Sequence, residues 1–305
     1  MPLQASSSGG LLLPGPMRKS PMFGLVLAAA LVVPTACTSG GGKPPVGATS
    51  GERAVPLTVS DKLRTALASP SRPAPERVRD TFRHPMETLL FFGLKDDMSV
   101  VEVSPGQGWY TAVLAPVLHD KGHLAVTSAD PKGDPNDGAT KRAKVLAERF
   151  AKDPSTFEKV ETVVQPPPGA GFALGAPESR DLVLTFRNLH NWMPEGDAAF
   201  FAAAFKALKH GGILGLVDHR AKPGTPPSTA PETGYVPEEY AIEAARKAGF
   251  VLDGKSEINA NPKDTKDHPE GVWTLPPVLK LGEKDRAKYT EIGESDRMTL
   301  RFKKP

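Results

Sequence analysis

Apolar and polar positions along this chain change period repeatedly, and the changes mark its elements. Val100–Val103, Leu124–Thr127, Val160–Val164, Asp181–Phe186 and Ile213–Val217 are short β-branched or aliphatic runs of strand length. Between them the spacing is helical. Val145, Leu146 and Phe150 share one face after the second run, and Phe200, Phe201, Ala204, Phe205 and Leu208 share one before the fifth, with Gly211 as the expected stop. Pro237 opens a further helix that ends near Gly249. Strands alternating with helices predict a parallel sheet covered on both faces. The ending breaks this rhythm: Phe250–Glu257 reads as a strand, a long polar segment follows, and Arg297–Lys303 alternates as a last strand. No crossover helix separates the two, so a terminal antiparallel pair is expected. Upstream, Pro85 suits a first helical position and Gly93 a terminator, which predicts a helical extension over 60–93 leading into one domain over 60–305.

The front end has another pattern. From Met17 the chain runs MRKSPMFGLVLAAALVVPTAC, two basic residues, an apolar stretch from Met22 to Val33 and small residues before Cys37. That is the layout of a secretory signal, too short to span a bilayer comfortably. The PTAC ending resembles a bacterial lipoprotein signal, with Cys37 as the lipidated residue. Residues 1–36 are therefore expected to be a signal peptide, and the Gly/Ser/Pro-rich 37–59 a tether to a membrane surface. Cys37 is the sole cysteine, so no internal disulfide forms, and lipidation gives an isolated thiol a role. The alternative is an uncleaved signal anchor with an incidental cysteine. Thr38, where aspartate marks inner-membrane retention, points by the same resemblance to the periplasmic face of an outer membrane. The formal charge is +3, and without Arg18 and Lys19, the charged residues before Cys37, it is +1. That is no footprint for nucleic acid.

In EVSPGQGWY a strand ends at Glu102 and the chain turns through Gly106 and Gly108 into a helix. Glycines permit positive φ and let backbone approach a ligand, and a helix start offers free N–H groups. Such a turn also needs glycine for structural reasons alone. Asp130, at the end of the second strand region, stands where a carboxylate accepts from ribose hydroxyls. The loop lacks the G-x-G-x-x-G dinucleotide spacing, which disfavours NAD.

These features, together with FFGL, LTFRNLHNW, DHRA, NPKDTKDHPEGVW and IGESDRMTLRF, resemble class I S-adenosylmethionine-dependent methyltransferases, and more narrowly a bacterial family of exported methyltransferases. The resemblance covers about Leu89 to Lys303. It implies an α/β, Rossmann-like seven-stranded sheet, mostly parallel with an antiparallel C-terminal strand, and S-adenosyl-L-methionine as cofactor. It assigns Glu102, Gly106, Gly108 and Asp130 to the cofactor, with Ser104 standing where the family's first glycine is usual; Ser104, by that place in the turn, and Asn188, by its place after the fourth strand, are further cofactor candidates.

Ligands of an open parallel sheet bind beyond the strands' carboxyl ends. Three of the seven histidines fall there: His190, His219 and His268. Methyl transfer to an O–H or N–H acceptor needs a base, and imidazole has a fitting pKa. His190 is the expected base and His219 a second catalytic candidate, with Arg187, Asn191 and Trp273 toward a small-molecule acceptor. Mixed imidazole and carboxylate groups at Asp218, His219, His190 and His268 also suit a metal, but no tight spacing such as HExxH is present. The segment from Ile258 to Asp296 reads as a lid anchored by Trp273, beside KPGTPPSTAPETGY; the alternative is a fixed cover for the sheet edge. Two function classes result: a methyltransferase acting at the membrane, or a non-catalytic envelope binding or scaffold protein that keeps the fold.

Overall fold

The computed structural model describes residues 57–305 apart from Pro168. The expected signal, tether and Cys37 lie in the main outside the described residues. The strands are β1 (Ser99–Val103), β2 (His123–Ser128), β3 (Glu161–Val164), β4 (Arg180–Phe186), β5 (Leu208–His219), β6 (Val251–Ser256) and β7 (Arg297–Lys303). They form one sheet in the order β3-β2-β1-β4-β5-β7-β6. β1 to β5 run parallel, with Val101 opposite both Ala125 and Val183, and β7 is antiparallel to β5 and β6, with Leu216 opposite Leu300. The expected α/β sheet with antiparallel C-terminal pairing is thus present.

Strand alternation builds two cores, one on each face. Val101, Val183, Leu214, Leu216 and Leu300 pack with Phe200, Phe201 and Phe250, while Val100, Leu182, Leu184 and Ile213 face Leu63, Phe92, Val113 and Leu114. Gly215 sits where a Cβ would stand 2.7 Å from the Phe92 ring, so only a bare backbone fits there. The Val59–Ala68 helix starts in a capping box between Thr58 and Asp61, and the Pro85–Phe91 helix begins at its proline and is followed by Gly93 at φ 78°. The Gly138–Lys152 helix is capped by Asp137, which accepts from Thr140 N at 2.7 Å.

One boundary differs from the sequence reading. The Asp197–Ala207 helix stops before Gly211, because Leu208 already pairs with Arg180 as the first residue of β5. Gly211, at φ 78°, instead turns its N–H onto Lys304 O.

Chain order reverses between β1 and β4: from β1 the sheet grows to β2 and β3, and from β4 to β5 and β7. The carboxyl ends of β1 and β4 therefore open a crevice at a switch point. Among the described residues no helix is long and apolar enough to cross a membrane.

Candidate functional site

The crevice holds two adjoining cavities. The larger, about 490 Å³, is walled by Ser104, Pro105 and Gly106 from the β1 turn, Thr127, Ser128 and Ala129 from β2, Ala143 and Leu146 from the following helix, and Asn188, Asn191 and Trp192 after β4. The smaller, about 110 Å³, shares Ser104, Pro105, Gly106 and Asn188 and adds Glu102, Trp109, Tyr110, Phe186 and Arg187.

Two residues adopt left-handed backbone at the rim without being glycine, Ser104 at φ 51° and Arg187 at φ 62°. Each is held: Ser104 N donates to Thr127 Oγ1 at 2.8 Å and Arg187 N to Val217 O at 2.7 Å. Asn188 ties the two together. Its Nδ2 donates to Val103 O, Ser104 O and Thr185 Oγ1 at 3.1, 3.3 and 3.1 Å, so it braces the crevice as well as lining it. Gly106, at φ 62°, has no atom within 4 Å of where a Cβ would be, so the turn lies open on that side. Among the described residues the amides of Gly106 and Gln107 donate to no protein acceptor. Of the two, Gly106 lines the cavity, and a free donor there beside small apolar walls fits a flat, polar-edged ligand. Gly108 lines neither cavity; at φ 80° it closes the turn onto Pro105 O and lets Leu146 approach.

Glu102 is buried, and its Oε2 accepts from Thr111 Oγ1 at 2.6 Å. Burial raises its carboxyl to about 7, against the opposing pull of that hydrogen bond and of Arg149 and Arg187. Asp130 stands on an adjacent hollow with Pro131, Lys132 and Phe150, beyond the wall set by Ser128, and one of its oxygens accepts from Lys132 N at 2.8 Å.

Toward β5 the arrangement is saturated. Asp218 is fully buried and takes four donors: Leu189 N (2.7 Å) and His190 N (3.4 Å) on Oδ2, His190 Nδ1 (3.0 Å) and His219 N (2.7 Å) on Oδ1. A carboxylate only accepts, so His190 carries its proton on Nδ1 and leaves Nε2 as a base. Ligand atoms of His190, Asp218 and His219 lie within 4.8 Å of one another, close enough to share an ion. Asp218 has no acceptor position left for one, which makes it an imidazole orienter. His268 is not part of this group; it bonds Asp264, which also accepts from Tyr235 and from Asp296 N. His219 Nδ1 meets Ser295 Oγ, and burial, with His190, Arg187 and Arg297 nearby, holds its pKa well below the usual value. The His190 and His219 ring centres are 5.2 Å apart, and the His190 and Trp273 ring centres are 6.1 Å apart with the planes near perpendicular. Neither histidine nor Trp273 lines the two cavities. Trp273 packs with Ala221, Tyr235 and Val272, so the Ile258–Asp296 excursion and the proline-rich stretch do meet. Asp264, buried in the excursion, accepts from Tyr235 of the proline-rich stretch and from Asp296 N, which ties the two segments together.

Several residues of the crevice were not singled out by the sequence. Arg142 and Trp192 line the larger cavity. The helical extension closes the smaller one: Trp109 Nε1 donates to Glu76 O, Glu76 pairs with Arg149, and Arg72 and Arg83 stand over the Trp109 ring at 5.1 and 4.8 Å. Glu294 and Ser295, just before β7, meet Arg187 and His219 from behind the crevice, where a run of charge directly before an alternating strand was the available signal.

No family model and no curated protein matches this chain. Among solved structures it is similar to the [4+2]-cyclase SpnF at 15% identity and a TM-score of 0.51, covering 82% of this chain and 97% of that one. It is also similar to a SAM-dependent methyltransferase from Aquifex aeolicus (16% identity, TM-score 0.48, 81% of this chain and 98% of that one). A third is geranyl diphosphate C-methyltransferase from Streptomyces coelicolor A3(2), solved with Mg2+, geranyl diphosphate and S-adenosyl-L-homocysteine (11%, 0.49, 79% and 86%). At these identities the likeness concerns the fold, which is the seven-stranded α/β fold that the strand pattern predicts.

Proposed function

We propose that the chain is an S-adenosylmethionine-dependent methyltransferase with a small acceptor. The observation that carries this is the two-part cavity over the β1 turn, at the sheet's switch point, with Gly106 and its open amide on one wall and Ala129, Ala143 and Leu146 on another. The resemblance of EVSPGQGWYT to methyltransferase motifs supports it. A fold alone would not: the cyclase named above shares this one.

In this reading Ser104, Gly106, Asn188 and the β2 end hold the cofactor, and the unbonded oxygen of Asp130 meets a ribose hydroxyl. The cofactor supplies an electrophilic methyl whose bond to sulfur breaks as the acceptor's bond to carbon forms, leaving a neutral thioether. His190, oriented by Asp218, is the base assigned to the acceptor's proton on Nε2; since it lines neither cavity, the acceptor has to reach past their walls to meet it, while Arg187 and Asn191 orient the acceptor. Calorimetry with S-adenosylhomocysteine tests it. One site is expected, weakened by about 1–3 kcal/mol in Asp130→Ala. No heat at millimolar ligand would overturn the reading.

The same proposal places the domain on an envelope membrane through lipidated Cys37, on the strength of the MRKSPMFGLVLAAALVVPTAC layout. Cys37→Ala should move the protein from the membrane to the soluble fraction, and unchanged membrane association would refute it.

A further inference from the structure

Four guanidinium groups meet around one carboxylate behind the smaller cavity. Glu294 accepts from Arg79 Nε at 2.8 Å, Arg83 Nε at 2.9 Å and Arg297 Nη1 at 2.9 Å, and Arg187 Nη1 stands 3.9 Å away. Arg83 and Arg297 are each 2% exposed, and Arg83 Nη1 and Arg297 Nε are buried without a hydrogen-bond partner. The nearest other anion at the cavity is Glu102, whose carboxyl burial has raised to about 7 and which offsets the excess only in part. Several buried cations sharing a single anion are costly unless a further anion joins them.

Of the four, Arg187 faces open space. Its guanidinium makes no hydrogen bond within the described residues, and it lines the smaller cavity beside Tyr110 and Phe186, whose rings stack at 3.6 Å. Burial, with Arg297 and Arg79 beside it, brings its pKa down to about 10, so it still carries its charge at neutral pH. The larger cavity, about 490 Å³, already has the size of a complete small-molecule site. The smaller adjoins it and is lined by Arg187, whose guanidinium stands 3.9 Å from Glu294 just before β7.

We infer that the smaller cavity is an anion pocket for the acceptor, in which a carboxylate or phosphate of that molecule is gripped by the Arg187 fork. This rests on the proposed function, since it names the acceptor's chemical class. The fork supplies two parallel donors, and the positive ring behind it supplies a field that no neutral group would exploit.

The test uses the complex saturated with S-adenosylhomocysteine, titrated by calorimetry with benzoate, with inorganic phosphate and with neutral benzamide as probes. Benzoate or phosphate should bind and benzamide should not. Arg187→Asn, chosen because asparagine tolerates left-handed backbone, should weaken anion binding by roughly tenfold or more while leaving S-adenosylhomocysteine affinity within about twofold. Failure of both anions to bind a complex that does hold S-adenosylhomocysteine overturns the inference alone. Loss of S-adenosylhomocysteine binding in Arg187→Asn would also overturn it, by assigning the cation to the cofactor's own carboxylate. Thermal denaturation gives a second check: an unmet binding cation can be removed with no loss of melting temperature, whereas a structural partner of Glu294 cannot. If the wild type binds no S-adenosylhomocysteine, the proposed function fails instead, and anion binding by the free protein still decides the pocket.

Discussion

On the β1–β2 side of the crevice the chain leaves backbone donors open, and on the β5–β7 side it uses them up. Gly106 keeps a free amide at the larger cavity, walled by residues as small as Ala129 and Ala143. Asp218, by contrast, gathers four donors in a site with no exposure, and Glu294 gathers three arginines. An open wall can bind, at the cost of strained turns at Ser104 and Arg187; a saturated wall fixes side chains in one orientation. Binding and orientation are thus divided between the two halves, with Asn188 spanning them.

If that division is right, the halves respond differently to mutation. Asp218→Ala should be the most damaging change, costing about 3–5 kcal/mol by leaving buried donors unmet, as chemical denaturation would show. Ser128→Ala, on the open wall, should cost under about 0.5 kcal/mol. Equal effects would erase the distinction. Next is Glu102, at the seam. Its native carboxyl holds a proton up to about 7 against 4.5 ordinarily, so the stability it contributes is full below pH 4.5 and is lost as pH rises toward 7. The loss is about 3 kcal/mol, and Glu102→Gln should abolish that part of the pH dependence and be the more stable form at pH 8. Smaller than either is Gly106→Ala, which meets no atom but must hold φ 62°; it should cost about 1–2 kcal/mol of stability from backbone strain. Gly211→Ala, also left-handed with open space around it, should cost the same yet leave cofactor binding untouched.

The central strands were legible because their burial forces continuous apolar runs such as Val100–Val103 and Ile213–Val217, whereas the edge strands β3 and β6 have no fully buried residue and were read from their β-branched content and place in the alternation. The β1 turn was legible because glycine spacing is local. Gly108 shows the limit of that signal: it sits in the motif but serves the turn and Leu146 rather than a cavity wall. The Asp197–Ala207 helix was read too long because Leu208 suits either a helix face or a strand, and only its partner Arg180 decides. The arginine ring was invisible for a different reason. Arg79 and Arg83 meet Glu294 across 215 and 211 positions, so no spacing along the chain announces them. His190 was found by its place after β4, but its orienter Asp218 reaches it from the next strand.

The central claim, that the open half of the crevice holds the cofactor, is tested most directly by a crystal structure with S-adenosylhomocysteine at saturation. The adenosyl group is expected between Ala129 and Leu146, with the sulfur end over Gly106 at the mouth of the smaller cavity. An empty crevice, or ligand bound elsewhere on the domain, would contradict it.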